Sequence, residues 1–480
     1  MFRHSTSLLI TIFAFIFVSC DNKDSAVSIG RQISEFSINH NIEENQSCLL
    51  EEQNQKIVDV FQSHYLFNDE MQIPADYKAL NTQDLVQSLR VSEKEEYSFW
   101  IEDSASYDAS FSQGLSSGLF GFRLIYIWSE SGLPEDDRLA MYVVESNSPA
   151  YEAGLRRGDT IVSIDDVTST EIYTQLRSMD DSQRYSYLVA LLGLDHSKDE
   201  LNIVWETKGN PQIFSATIDR DSYATDVVES AKVIDNGESK TGYLAYRSFS
   251  EFSSDRLIES FDAFNEQSVD NVIFDFRSNG GGLVNLAMFI ANSTLNNYNT
   301  LTGQPLLNYE FNTIRSFNNT TFNFADSNYS IGATQAVVII DAGSCSASEL
   351  VINMLKPYAD VTIIGDQASC GKPYGMERTQ ICDGYLFPVT LKFTNADNEA
   401  DYIDGFSPDC FVEDNNEYNW GDVNDPQINE ALHILNGGSC RTIAPEVASL
   451  QAKSIQKQSK LQKVSTYTDY ENPYAPIFKY

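Results

Sequence analysis

Val337-Val338-Ile339-Ile340-Asp341-Ala342-Gly343-Ser344-Cys345-Ser346-Ala347-Ser348-Glu349-Leu350 decides how the rest of the chain is read. A run of apolar, β-branched residues makes a buried strand, predicted over 336–341. Small residues end it, and a helix predicted over 348–355 opens directly from them. Downstream, Val361-Thr362-Ile363-Ile364-Gly365 is the next strand. Upstream, Asn271 to Phe276 reads as a buried strand and Val284 to Ala291 as a helix. Further back come a strand at Gly242 to Tyr246 and a helix over Ser254 to Phe264, with Leu257, Ile258, Phe261 and Phe264 on one face. Strand and helix in steady alternation predict an α/β core on a largely parallel sheet.

Three strand ends in this core carry residues suited to chemistry. Ser346 sits where a strand turns into a helix, so the free N–H groups of the helix start face any negative charge that develops there. Lys372 lies on the loop Asp366-Gln367-Ala368-Ser369-Cys370-Gly371-Lys372-Pro373, one helix and one strand later. Adjacent strands of a βαβ unit end on the same side of the sheet, so the two groups can meet. In Phe274-Asp275-Phe276-Arg277-Ser278-Asn279-Gly280-Gly281-Gly282-Leu283 a strand runs into three glycines, which permit a close backbone approach. Taken alone, the serines of 344–348 also read as small turn residues and a helix cap.

Before this core stands Ser148-Pro149-Ala150-Tyr151-Glu152-Ala153-Gly154-Leu155-Arg156-Arg157-Gly158-Asp159-Thr160-Ile161-Val162-Ser163-Ile164-Asp165. It predicts a short helix, a tight glycine exit, a Gly-Asp turn and an alternating strand. The run resembles a PDZ domain, a fold that binds extended peptide ends by adding a strand to a sheet edge. By that resemblance Gly118, Leu119, Phe120 and Gly121 form the carboxylate-binding loop.

With the PDZ-like segment in front, the three core segments resemble the tail-specific (C-terminal processing) serine peptidases over roughly residues 110–415. That family shows Asp-Leu-Arg-x-Asn-x-Gly-Gly, Ser-Ala-Ser-Glu and Gly-Lys, which read here as Asp275 to Gly282, Ser346 to Glu349 and Gly371-Lys372. The resemblance implies a ClpP/crotonase-like core and a Ser–Lys dyad: Ser346 attacks the peptide carbonyl and neutral Lys372 takes its proton. It further implies an oxyanion hole from the N–H groups of Gly281 and Ala347, polypeptide substrates, and no metal or organic cofactor. Asp404 to Asp409 resembles the family's late Gly-x-x-Pro-Asp element, expected to be structural. Where the family often has a glutamine four residues after the lysine, this chain has Met376, leaving the partner that orients the lysine open.

The dyad sets a physical demand. A free lysine, with a pKa of about 10.4, is charged at neutral pH and is no base. Lys372 must be desolvated and kept from a carboxylate partner, so Asp366 and Glu377 are expected to point elsewhere. Cys345 and Cys370 flank the dyad and are expected to pair if their strands are neighbours, with Cys382–Cys410 as companion. The alternative function is a catalytically inactive, lipid-anchored PDZ binding protein.

A formal net charge of −37 over 480 residues leaves no basic patch for nucleic acid. The N-terminus reads as an export signal: Arg3, an apolar run from Leu8 to Val18, then Ser19-Cys20, resembling a bacterial lipobox with Cys20 lipidated. That predicts attachment to a bacterial cell-envelope membrane, facing the periplasm or the surface, and a compartment that permits disulfides. The expected organisation is a signal peptide at 1–20, a linker at 21–45 and a small helical N-terminal domain at 46–109, without a direct part in the chemistry. A PDZ domain at 110–220, a peptidase core at 221–440 and a polar tail at 441–480 follow.

Overall fold

The structure, a computed structural model, describes residues 48–441 except 128, 130–131, 194–196, 236, 238 and 296–299, together with 461–462. Cys20, the signal and the linker lie outside the described residues, as does all of the tail beyond 441 but 461–462.

The N-terminal segment begins with helices α1 (Leu50–His64) and α2 (Thr82–Leu89), the second capped by the Asn81 side chain. Strand β1 (Phe99–Ile101) and helix α3 (Ser104–Gln113) follow. The apolar faces of α1 and α2 do not close on each other alone. Ile57, Phe61, Leu85 and Leu89 share one cluster with Ile381, Leu386 and Val389, and β1 pairs antiparallel with residues 385–387. The segment is thus built into the strands that follow the parallel sheet rather than set beside them.

The PDZ-like segment comprises β2 (Leu115–Leu119), β3 (Phe122–Ile127), β4 (Arg138–Val144), the short α4 (Pro149–Glu152), β5 (Thr160–Ile164), β6 (Val167–Thr168), α5 (Ser169–Ser178), α6 (Asp181–Leu192), β7 (Glu200–Glu206), β8 (Ile213–Asp219) and β9 (Asp221–Ala224). Strands β3-β4-β5-β7-β8 form an antiparallel sheet, and β2 pairs with β9. Of the four residues expected to form a loop, Gly118 and Leu119 end β2, and only Phe120 and Gly121 lead from it into β3. Ser148 caps α4 and Pro149 stands in its first turn, as their order predicts. At Gly158 (φ 91°) a Cβ would lie 2.8 Å from the Glu417 backbone, so this turn rests directly on the core.

The core holds β10 (Val228–Asp235), β11 (Lys240–Tyr246), α7 (Ser254–Glu266), β12 (Asn271–Asp275), α8 (Val284–Leu295), β13 (Pro305–Phe311), β14 (Thr320–Asn323), β15 (Gln335–Ile340), α9 (Ala347–Leu355), β16 (Asp360–Gly365), β17 (Tyr374–Met376), β18 (Thr379–Ile381), β19 (Gly384–Phe387), β20 (Val389–Thr394), β21 (Cys410–Phe411) and α10 (Pro426–Leu435). The main sheet runs β10-β11-β12-β15-β16-β21; all neighbours are parallel except the edge pair β10–β11. The predicted α/β core on a largely parallel sheet is therefore present. Strand alternation sends Val338 and Ile340 to the face covered by α7, α8 and α9, and Val337 and Ile339 to the face covered by α10. The chain between α8 and β15 supplies β13 and β14 to a second, antiparallel sheet, β14-β13-β20-β17. Residues 461–462 pair antiparallel with β3.

Cys345 and Cys370 are joined. The expected companion pair Cys382–Cys410 is not: Cys382 bonds Cys48 and Cys410 bonds Cys440. The physical reason is placement. Cys410 lies on the outermost strand of the main sheet near the end of α10, whereas Cys382 lies at the β18–β19 turn, against α1.

Candidate active site

Strand β15 delivers the chain to a turn built on Asp341. Its carboxylate accepts the Gly343 N–H (2.8 Å) and the Ser278 N–H (3.0 Å), and the Ser344 hydroxyl donates to Phe276 O (2.8 Å). Cys345 N–H (2.9 Å) and Ser348 Oγ (2.9 Å) both donate to Asn279 O, strapping the serine turn to the glycine loop after β12. Ser346 follows with φ 55° and ψ −110°, a region that side chains rarely adopt, so its backbone stores strain where the helix begins.

Gly281 (φ 99°) lies against this turn. A Cβ there would stand 2.8 Å from Ser346 Cβ and 2.9 Å from Ala347 N, closer than carbon tolerates, so only glycine fits. Ala347 is the first residue of α9, and its N–H has no acceptor within the helix. The Gly281 N–H is engaged: it donates to Asn279 Oδ1 at 2.9 Å.

Lys372 is buried, at 6 % exposure, on the loop between β16 and β17. Burial pulls its amine down to about 8, against the opposing pull of the Glu95 and Glu349 carboxylates. Nζ contacts Met376 Sδ at 3.6 Å and lies 5.2 Å from the centroid of the Tyr97 ring. Among the described hydrogen bonds and ion pairs, none joins Nζ to Ser346 Oγ or to a carboxylate. Glu377, close in sequence, is turned to Arg315 (3.1 Å).

What couples the two loops is Glu349. Its buried carboxylate accepts from Ser346 N (2.9 Å), Ser369 Oγ (2.6 Å), Gly371 N (2.7 Å) and Lys372 N (2.9 Å). Burial pushes its pKa up while these donors resist. The Cys345–Cys370 disulfide runs alongside. The 404–409 element closes the far side: Phe406 N donates to Ser369 Oγ (2.7 Å), and a Cβ at Gly405 would fall 2.0 Å from Ser369 O.

Sequence reasoning singled out Ser346, Lys372, Gly281 and Ala347, and the structure brings their segments together. It gave Glu349 no role and overlooked Glu95 and Tyr97. Glu349 had a local signal, since a carboxylate three residues into a helix reaches back to the cap N–H. Tyr97 had none, lying 274 positions before the Gly371 carbonyl it hydrogen-bonds. The N-terminal segment, expected to have no direct part in the chemistry, thus touches the Lys372 loop through the Tyr97 hydroxyl.

The same glycine loop carries Arg277, buried beneath the PDZ-like segment. It bonds Asp275 (2.5 Å), Asp425 (3.1 Å) and Asp414 (3.3 Å), while Arg157 of the Gly-Asp turn bonds Asp414 (2.5 Å).

Comparison with known proteins places these features. The model of Peptidase family S41 matches residues 240–412, and that of a PDZ domain matches residues 142–185. The chain is 26 % identical over 309 residues to a carboxyl-terminal-processing protease of Synechocystis sp., covering 64 % of this chain and 66 % of that protein. It is 23 % identical over 363 residues to the carboxy-terminal processing protease CtpB of Bacillus subtilis, covering 73 % and 69 %. The chain thus spans somewhat under two thirds of the first relative's length and 56 % of a second, from Picosynechococcus sp.. Its fold is that of a putative S41 protease from Bacteroides fragilis, at 20 % identity and a TM-score of 0.64, covering 83 % of this chain and 99 % of that one. A peptidase match over the parallel-sheet core, a PDZ match ahead of it and relatives of one kind agree: residues 240–412 are similar to peptidase family S41, a PDZ-like region precedes them, and the chain as a whole is similar to carboxyl-terminal-processing serine peptidases.

Proposed function

We propose that this chain is a serine endopeptidase that cleaves polypeptides in the bacterial cell envelope, held there by a lipid on Cys20. Ser346 Oγ attacks the scissile carbonyl while its proton passes to neutral Lys372 Nζ. The resulting oxyanion is met by the N–H groups of Ala347 and Gly281, the latter freed from Asn279 Oδ1. The ammonium then returns the proton to the leaving amine, and water hydrolyses the acyl-enzyme by the same route. The PDZ-like segment takes an extended or C-terminal stretch of substrate along β3, with residues 118–121 at the peptide's end.

One observation carries this reading: a buried amine drawn down to about 8 on a loop stapled by Glu349 and a disulfide to the turn that bears Ser346. At that value about a tenth of the amine is neutral at pH 7. A second reading, a catalytically silent PDZ binding protein, is favoured by two details: Nζ contacts Met376 Sδ instead of Ser346 Oγ, and the Gly281 N–H is already engaged.

Incubation with an unfolded polypeptide, followed by mass spectrometry, separates the two. Cleavage by wild type that vanishes in both Ser346→Ala and Lys372→Ala supports the enzyme. Binding of the same polypeptide without cleavage at any pH from 6 to 10 supports the binder. Labelling with a radioactive fatty acid, lost in Cys20→Ser, tests the anchor.

A further inference from the structure

We propose that Tyr97 of the N-terminal segment is a positioning residue for this reaction, its hydroxyl pinning the Lys372 loop and its ring roofing the amine. The proposal rests on the Ser–Lys reading above and names what orients the lysine in a chain that has Met376 in place of an amide.

The Tyr97 hydroxyl donates to Gly371 O at 3.0 Å and reaches Cys370 O at 3.4 Å, the two carbonyls just before Lys372. Its ring stands over Nζ, 5.2 Å from centroid to nitrogen. Tyr97 is itself fixed, since its N–H donates to Glu95 Oε2 at 2.5 Å. Glu95 also takes the Tyr65 hydroxyl (2.9 Å), the Ser98 N–H (2.9 Å) and the Ser98 hydroxyl (2.7 Å). The Ser98 hydroxyl in turn accepts the Val389 N–H at 2.9 Å, tying the roof to β20.

The charged groups around the amine explain why a ring suits this place. Two carboxylates act electrostatically on Nζ, Glu95 from the N-terminal segment and Glu349 from α9. Each is already engaged by four N–H or O–H donors, so neither closes an ion pair that would hold the amine charged. The Tyr97 phenol, pushed up by burial, stays neutral at working pH, and the Tyr374 phenol is pushed up likewise. The contacts left to Nζ are thus a thioether and an aromatic face, weak acceptors without charge. They let burial keep the amine's pKa low. When the serine proton arrives, the new ammonium lies within reach of the ring's negative face. A carboxylate in the same place would stabilise the ammonium before the reaction as well as during it, and the base would be lost.

The test pairs Tyr97→Ala with Tyr97→Phe in the full chain. One readout is kcat/KM against pH on an unfolded polypeptide. The other is a 13C titration of the Lys372 side chain, its signal assigned by loss in Lys372→Ala. Tyr97→Ala admits water, so the Lys372 midpoint and the acid limb of kcat/KM both move up by about one unit, with roughly tenfold loss at pH 7. Tyr97→Phe keeps the roof and loses the pin, so the limb stays and the rate falls about three- to tenfold at every pH. An unmoved Lys372 midpoint in Tyr97→Ala overturns the roofing, including where activity drops uniformly. Wild-type rates throughout in Tyr97→Phe overturn the pinning, and this variant keeps the shape of the site should the alanine enzyme fail to fold. If wild type cleaves nothing, the proteolytic reading falls, while the titration still decides whether Tyr97 controls the amine.

Discussion

Two buried cation sites in this protein are built on opposite terms. At the junction of the PDZ-like segment and the core, Arg157 and Arg277 are surrounded by carboxylates: Asp275, Asp414 and Asp425 contact them, and Trp420 stacks beside both. Burial alone pulls the Arg277 pKa down, but the three carboxylates outweigh it and the net shift is upward. Asp414 answers in kind, its burial outweighed by Arg157 and Arg277. At the Lys372 loop the amine is also buried, yet the nearby carboxylates are committed to backbone and hydroxyl donors, and burial wins. Cations that join segments are saturated with partners, whereas the cation proposed to react is deprived of them.

The sharpest way to break this contrast is to keep the charge at residue 372 and remove its ability to lose a proton. Lys372→Arg is expected to abolish cleavage, at least about 10³-fold in kcat, as is Ser346→Ala. Residual activity above one per cent in the arginine enzyme, measured by peptide release, would mean that the neutral amine is not the base.

Next in size is the saturated site. Arg277→Met leaves three buried carboxylates short of a partner and is expected to destabilise by about 3–5 kcal/mol. Denaturant unfolding at pH 7 measures it. A loss below about 1 kcal/mol would show that Arg157 alone neutralises the cluster.

The same experiment on the starved site has the opposite sign. Folding lowers the Lys372 pKa from its ordinary value of 10.5 to about 8, so between those values the unfolded chain binds more protons and stability rises with pH. Below pH 8 both states are protonated, and burying the charge costs up to roughly 3 kcal/mol. Lys372→Met is therefore expected to stabilise the protein at pH 7, with the gain shrinking as pH approaches 10. A gain that stays constant with pH would point to better packing instead of charge removal.

How much of this was legible in the sequence follows from distance along the chain. The turn at Ser346, the glycines after β12 and the lysine after β16 were readable because their signals are local: strand period, small residues and the order of βαβ units. Glu349 lay inside a quoted motif, but its four hydrogen bonds need the loop from 369 to 372 folded against it. The Cys48–Cys382 bond, across 334 positions, and the ring of Tyr97 over Lys372 had no local trace. Both depend on α1, α2 and β1 sharing a core with β18 and β19, and the helical period of α1 shows an apolar face without showing what covers it.

The smallest expected effect is the most telling about Glu349. Glu349→Gln keeps the shape but replaces one acceptor oxygen with an amide donor that faces N–H groups. Two of the four donors lose their acceptor, and a stability loss of about 1–3 kcal/mol is expected. The carboxylate also raises the Lys372 pKa, so removing it should lower that pKa further and move the acid limb of kcat/KM down by a few tenths of a unit. The maximal rate should fall all the same, because Ser346 and Lys372 are no longer held by one group. A downward limb with a lower plateau is opposite in sign to the upward limb expected of Tyr97→Ala. If both variants move the limb the same way, the amine responds to general loosening of the site. If they move it apart, the carboxylate and the ring set its charge state from opposite sides.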